Sequence, residues 1–216
     1  FATTTNSWDP IGTASPYKGV FDGNNRKILG LYIDDATNSN KGLFGQNEGT
    51  ITGVKVEESY INAGENVGMI CGYNNGGTIQ NCSSSGNIEG TRAVGGICGI
   101  MSGTAKIVGC NNSGNITGGT DAGGICGYVV GGSANISNCY NNGAIAGYNI
   151  GGIVGDTNSN VSVCYNEGNV TSENGVAGGV CGSLRKAIMK NCYNKGEVCS
   201  KADRNVGGVC GAIGCL

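Results

Sequence analysis

Short apolar runs closed by a glycine return along this chain at a nearly fixed interval. The closing glycines are Gly45, Gly72, Gly99, Gly127, Gly155, Gly182 and Gly211, so successive cassettes lie 27, 27, 28, 28, 27 and 29 residues apart. Before them stand Gly-Leu-Phe (42–44), Gly-Met-Ile-Cys (68–71), Gly-Gly-Ile-Cys (95–98 and 123–126), Gly-Gly-Ile-Val (151–154) and Gly-Gly-Val-Cys (178–181 and 207–210). A second landmark runs in phase: Cys82, Cys110, Cys139, Cys164 and Cys192, each followed four residues later by Gly86, Gly114, Gly143, Gly168 and Gly196. A third apolar point follows at Ile88, Ile116, Ile145, Val170 and Val198. Segments this short leave no room for a helical period, and glycine at this density costs about 1 kcal/mol per site in a helix. The pattern therefore predicts an all-β chain, a parallel β-helix (β-solenoid) with about 27–29 residues and three short strands per coil.

In such a coil, like residues stack in columns about 4.8 Å apart. The expected core columns are Ile97, Ile125, Ile153, Val180 and Val209, and separately Ile88, Ile116, Ile145, Val170 and Val198. A charge there, as in Ile125→Asp, is expected to cost several kcal/mol. Residues 1–41, which depart from the cassette pattern, are assigned to an N-terminal cap and first coils, and 42–216 to one continuous repeat solenoid.

Composition agrees with a folded solenoid: 43 glycines and 2 prolines accompany 38% hydrophobic residues, unlike a flexible linker. With a net charge of -2 and only 13 Lys and Arg, scattered singly, the chain carries no basic footprint for nucleic acid. No apolar run approaches the roughly 20 residues of a membrane helix, so neither nucleic-acid binding nor membrane insertion is expected. No signal peptide opens at Phe1, which places any export signal outside the sequence given.

Ten of the 12 cysteines fall into two columns: Cys71, Cys98, Cys126, Cys181 and Cys210, and Cys82, Cys110, Cys139, Cys164 and Cys192. Equivalent positions elsewhere hold Phe44, Val154 and Val54. A site that accepts Cys, Val or Phe behaves as a core site, where a free thiol packs as a small hydrophobe. Disulfides across one coil are the rival reading, in which Cys164 lacks a partner at Val154. Cys199 and Cys215 lie outside both columns. With no histidine and no CxxC, no metal and no cofactor is expected.

Two residues after each column cysteine stand Asn112, Asn141, Asn166 and Asn194. They are expected to form an asparagine ladder, bonding between coils and tolerating left-handed turn geometry. Tyr140, Tyr165 and Tyr193 precede them and form a tyrosine column, a platform for sugar rings if its faces point outward. The loops beside Asn74 to Thr78 are a second candidate for glycan contact. Six Asn-x-Ser/Thr sequons, at Asn81, Asn111, Asn115, Asn135, Asn160 and Asn169, are products of Asn- and Ser-rich turns that become glycan sites only in a secreted context.

The opening segment carries Trp8-Asp-Pro-Ile-Gly12, Tyr17-Lys-Gly-Val-Phe-Asp-Gly-Asn24, Ile28-Leu-Gly-Leu-Tyr-Ile33 and Gly42-Leu-Phe-Gly45. These residues resemble the GLUG-motif repeats of large secreted and surface proteins, mostly bacterial, including non-catalytic parts of some immunoglobulin A proteases. The resemblance covers nearly the whole chain and implies a right-handed β-solenoid with an extracellular home. Cysteine replaces the usual Val or Phe in five cassettes, which suggests an anaerobic or thiol-preserving setting.

Enzymatic chemistry finds little purchase. Carbohydrate-cleaving β-helices need clustered carboxylates, a calcium site or a catalytic base, whereas Asp34-Asp35 and Glu57-Glu58 are the only adjacent acidic pairs. Strand neighbours point to opposite faces, so neither pair builds a two-carboxylate site. Without histidine there is neither an HExxH helix nor a Ser-His-Asp triad, and no Gly-Lys-Ser/Thr follows the glycine pairs to make a phosphate loop. The expectation is a non-enzymatic structural or adhesive surface protein, a stiff spacer or fibre subunit. The alternatives are a carbohydrate-binding module or a non-catalytic domain of a larger secreted enzyme. A solenoid exposes strand edges at its ends, and while Trp8 and Phe21 can cover the first, no cap follows Val206–Gly211. The expected partners are the continuation of a longer chain or a second copy stacked head to tail, and a glycan.

Overall fold

A computed structural model describes residues 7–202 and 205–214; Cys215 lies outside the described residues. All regular structure among them is β, and all paired strands run parallel. The chain winds through about seven coils, which lay down three sheets of 7, 16 and 7 strands.

The first sheet stacks Phe44–Asn47, Cys71–Asn75, Cys98–Ser102, Cys126–Val130, Val154–Thr157, Cys181–Arg185 and Cys210–Gly214. Its register places Phe44, Cys71, Cys98, Cys126, Val154, Cys181 and Cys210 in a single column. The second sheet runs from Val20–Asp22 through Thr50–Thr52, Thr78–Gln80, Lys106–Val108, Asn135–Ser137 and Asn160–Ser162 to Met189–Lys190. Its inner column, Phe21, Ile51, Ile79, Ile107, Ile136, Val161 and Met189, is not among the columns drawn from the sequence. The cysteines at 82, 110, 139, 164 and 192 mark the corner that follows this sheet, three residues after the buried residue of each strand, and not a strand of their own.

The third sheet departs from a simple three-strand coil. It continues through one long strand in the middle of the molecule, Ser83–Gly95, but later coils divide it into pieces such as Tyr140–Asn141, Ile145–Gly147 and Ile150–Gly151. The column Ile33, Ile61, Ile88, Ile116, Ile145, Val170 and Val198 runs through it.

The opening residues follow the same plan. Phe21 pairs with Ile51, Ile33 with Ile61 and Ile11 with Phe44, so 11–41 form a first coil in register with the second. Trp8 lies over that coil's edge, its backbone N–H donating to the Tyr32 carbonyl at 2.8 Å and its indole N–H to the Leu43 carbonyl. Phe21 packs edge-on against Phe44, with ring centres 5.3 Å apart.

Ile97, Ile125, Ile153 and Val180 are fully buried, but Val209 of the same column is 39% exposed, and Val198 is half-buried. Both belong to the last described turns, where no further coil among the described residues covers them.

Candidate functional site

A narrow parallel core has room for few large side chains, and its glycine pairs show how the room is shared. A Cβ on Gly95 would meet the Cys98 carbonyl oxygen at 2.0 Å, so the chain turns tightly only where no side chain intervenes. The second glycine faces across the core: a Cβ on Gly124 would lie 2.3 Å from Cγ of Asn141, and one on Gly152 at 2.3 Å from Cγ of Asn166. The same cassette position is occupied by Met69 two coils before Gly124, in the coil whose ladder column holds Ser84 instead of Asn.

The structure brings Asn112, Asn141, Asn166 and Asn194 together in that column. Each side-chain amide donates to the next side-chain oxygen at 2.8 Å, and Ser84 Oγ donates to Asn112 Oδ1 to begin the series. Within its own coil each asparagine also donates to the carbonyl and accepts from the N–H of the glycine two residues on, as Asn141 does with Gly143. Nearly every buried polar atom of the ladder is therefore matched, the condition under which burial of an amide is tolerated. Left-handed geometry belongs elsewhere: Gly53, Asn81, Gly109, Asn138, Val163 and Asn191, immediately before the corner column, all have φ between 53° and 64°. The polar column is also not the same throughout. Its first two positions are Ile28 and Val56, and in those early coils a different column is polar, where Asn47 Nδ2 donates to Asn74 Oδ1 at 2.8 Å. Asn74 is fully buried there and donates to the Gly77 carbonyl, so it is not a free loop residue.

The column thiols face the core. Eight of the ten are buried, Cys192 and Cys210 are half-buried, and none of the eleven described cysteines is paired. Each corner thiol donates to the carbonyl two residues earlier, as Cys139 Sγ does to Ser137 O at 3.1 Å. Burial, and after it the neighbouring sulfur, pushes the thiols of Cys71, Cys110 and Cys126 well above their ordinary value. These three are neutral thiols, poor nucleophiles and poor metal ligands, whereas Cys82, drawn down by its contact with Cys110, and Cys98, drawn down against its burial by Cys126 and Cys71, shift the opposite way. Among the described residues, no three His, Cys, Asp or Glu side chains gather as a metal site.

Outside, Tyr140, Tyr165 and Tyr193 stack ring on ring, with centres 5.1 Å apart and planes within 5° of parallel. Their faces are thus occupied by one another, and the ammonium of Lys195 sits over the Tyr193 ring. Sugar rings bind aromatic faces, so this column offers a saccharide little beyond ring edges. The acidic pairs are divided by pairing with cations: Asp35 with Lys41 at 2.9 Å and Glu57 with Lys27 at 2.9 Å. Glu167–Lys195 and Glu173–Lys201 pair between coils in the same way; exposed pairs of this kind add little stability. The Lys41 ammonium, opposed by partial burial and helped by Asn38, holds the Asp35 carboxyl down at about 2.

Two carboxylates missed in the sequence lie under the outer surface, Asp121 and Asp156, 6% and 2% exposed. Burial pushes both upward, opposed at Asp121 chiefly by the Asn149 amide that donates to its Oδ1 and at Asp156 by Arg185, which pairs with its Oδ2. Their separation by 35 residues hid them, since only the coil register brings residue 121 beside the strand of 156. Two open and mainly apolar depressions of 460 and 440 Å3 lie at the ends of the rod, beside Trp8 and Leu29 and beside Ile188 and Ile213.

Registered parallel coils with a filled core define a β-solenoid protein. No protein-family model matches the chain. It is 32% identical over 108 residues to halomucin of Haloquadratum walsbyi, a match that takes in 45% of this chain and 1% of that protein. The chain thus spans a very small part of the length of the known relative it matches. In fold it is similar to the crystal structure of a putative immunoglobulin A1 protease from Bacteroides ovatus, with a TM-score of 0.76 over 92% of this chain and 67% of the other, at 22% sequence identity. No helix among the described residues is long and apolar enough to cross a membrane.

Proposed function

We propose that the chain is a stiff β-solenoid segment of an extracellular surface protein, a spacer or fibre element of the GLUG-repeat type without catalytic activity of its own. The observation that carries this reading is the unbroken register of the columns from the first coil to the last, with apolar columns such as Ile33, Ile61, Ile88, Ile116, Ile145, Val170 and Val198 continuing through every coil. Seven coils at about 4.8 Å give a rod roughly 30 to 35 Å long. The match to a small fraction of halomucin supports a place within a much larger polypeptide. The resemblance to a putative protease is one of fold, and no histidine-based protease chemistry can be assembled from this sequence.

Assembly head to tail is the finer proposal. A second copy continuing the columns would lay Ile11 over Cys210, Phe21 over Met189 and Ile33 over Val198, apolar on apolar, but Ile28 over Asn194. Trp8 must also leave the edge it covers. Electron microscopy of native material tests the reading: short rods, or filaments repeating at one rod length, are expected. Compact globular particles would overturn it. Proteolysis or polysaccharide cleavage by this chain alone would overturn its non-enzymatic part. Glycan binding abolished by Tyr165→Ala would favour a carbohydrate-binding module instead.

A further inference from the structure

Three of the six sequons do not lie where turn chemistry would put them. Asn115, Ile116 and Thr117 open the strand Asn115–Gly123, and Asn160–Ser162 is a strand of the second sheet; Asn169 directly precedes the strand Val170–Ser172. In each the middle residue, Ile116, Val161 or Val170, is buried in a core column. Alternation along a strand then sends the asparagine and the hydroxyl residue to the same outer side.

These three asparagines are exposed and share one arrangement. The side-chain oxygen accepts a backbone N–H from the next coil: Ala144 to Asn115 at 3.2 Å, Ile188 to Asn160 at 3.0 Å and Glu197 to Asn169 at 3.1 Å. The amide nitrogen has no protein partner among the described residues. The oxygen is thereby anchored and Nδ2 left toward solvent. Conversion to a secondary amide would keep the anchoring bond, because only a nitrogen proton is replaced.

The other three sequons differ. Asn111 and Asn135 are half-buried, and Asn135 is in direct register with Asn160 on the next coil, about 4.8 Å away. Asn81 is held left-handed at φ 53° with its side-chain oxygen against the Gly109 position. Asn115 and Asn169 are separated by the coil of Ala144, about 9.6 Å, room enough for two saccharides.

From this geometry we infer that Asn115, Asn160 and Asn169 are acceptor sites for N-linked glycans, which would sheathe two flanks of the rod in saccharide. The inference rests on the extracellular reading. In the transfer, Nδ2 forms a bond to the anomeric carbon of a saccharide carried on a polyprenyl-phosphate donor. The bond from that carbon to the phosphate oxygen breaks, the phosphate leaves with the electron pair, and the amide proton passes to a base of the transferase.

Glycopeptide mass spectrometry of the protein from its own source tests it directly. Saccharide on Asn115, Asn160 and Asn169, with Asn135 bare wherever Asn160 is occupied, is the expected result. Thr117→Ala, Ser162→Ala and Thr171→Ala, secreted from an N-glycosylating host, should each lose one glycan with the thermal midpoint unchanged, and Thr117→Ser should keep it. Bare asparagines at all three positions, or occupancy confined to Asn81, Asn111 and Asn135, would overturn the inference. Because rods seen by microscopy would persist in either case, the spacer reading stands or falls separately.

Discussion

The side-chain amide of Asn141 donates to the side-chain oxygen of Asn166 at 2.8 Å, across 25 residues of sequence and one coil of the solenoid. Asn141 also accepts from Asn112 and binds both backbone groups of Gly143. Asn141→Leu would strand a donor on Asn112, an acceptor on Asn166 and the Gly143 groups in a dry core, at about 1–3 kcal/mol for each group left unpaired. A loss on the order of 4 kcal/mol is expected in chemical denaturation. A loss below about 1 kcal/mol would mean that the ladder is not buried as described.

Val163 holds a left-handed backbone at φ 55° in a column otherwise made of glycine and asparagine, and its side chain is 49% exposed. That conformation costs a β-branched residue about 1–2 kcal/mol. Val163→Asn, which copies Asn138 and Asn191 in the flanking coils, should raise stability by about 1 kcal/mol, read as a higher thermal midpoint. An unchanged or lower midpoint would refute the strain.

The thiols give a direct test of the core. With a thiol reagent under native conditions, exposed Cys199 should label at once and half-buried Cys192 and Cys210 more slowly. The eight buried column cysteines should label only as the fold opens. Fast native labelling of Cys126 would contradict the column.

Acid should weaken the Asp35–Lys41 contact. The Asp35 carboxyl in the folded chain lies at about 2, below its ordinary 3.8. Its stabilisation is therefore complete above about pH 4 and is lost as pH falls toward 2. Denaturation between pH 5 and 2 should show a smaller acid-dependent loss for Asp35→Asn than for the parent chain. Identical slopes would show that the contact does not persist in solution.

Much of this architecture is legible because the coil repeats. The cassette glycines give the period, the period gives the register, and the register makes columns of Cys98 and Cys126, or Asn141 and Asn166, readable without coordinates. The second sheet escaped because its buried residues, Ile79, Ile107 and Ile136, stand in three-residue strands three positions before a column cysteine, and the cysteine, which sits at the corner, was the more conspicuous landmark. The strain moved for a related reason: sequence assigns turns to asparagine, but the ladder asparagines are extended and the corner falls three residues earlier.

By itself, then, the sequence determined the all-β solenoid, its coil length and most of its inward-facing columns, since these follow from short-range periodicity under a constant rise. Only the tertiary structure decided how atoms on different coils meet. It closed the tyrosine faces against one another, buried Asp121 and Asp156 beneath the outer surface, and turned Asn115 and Asn160 outward on strands and Asn169 outward just before one. Those outcomes depend on which neighbour lies one coil above or below, a relation across some 25 to 29 residues in which bulges and corner geometry, absent from any local pattern, set the final contacts.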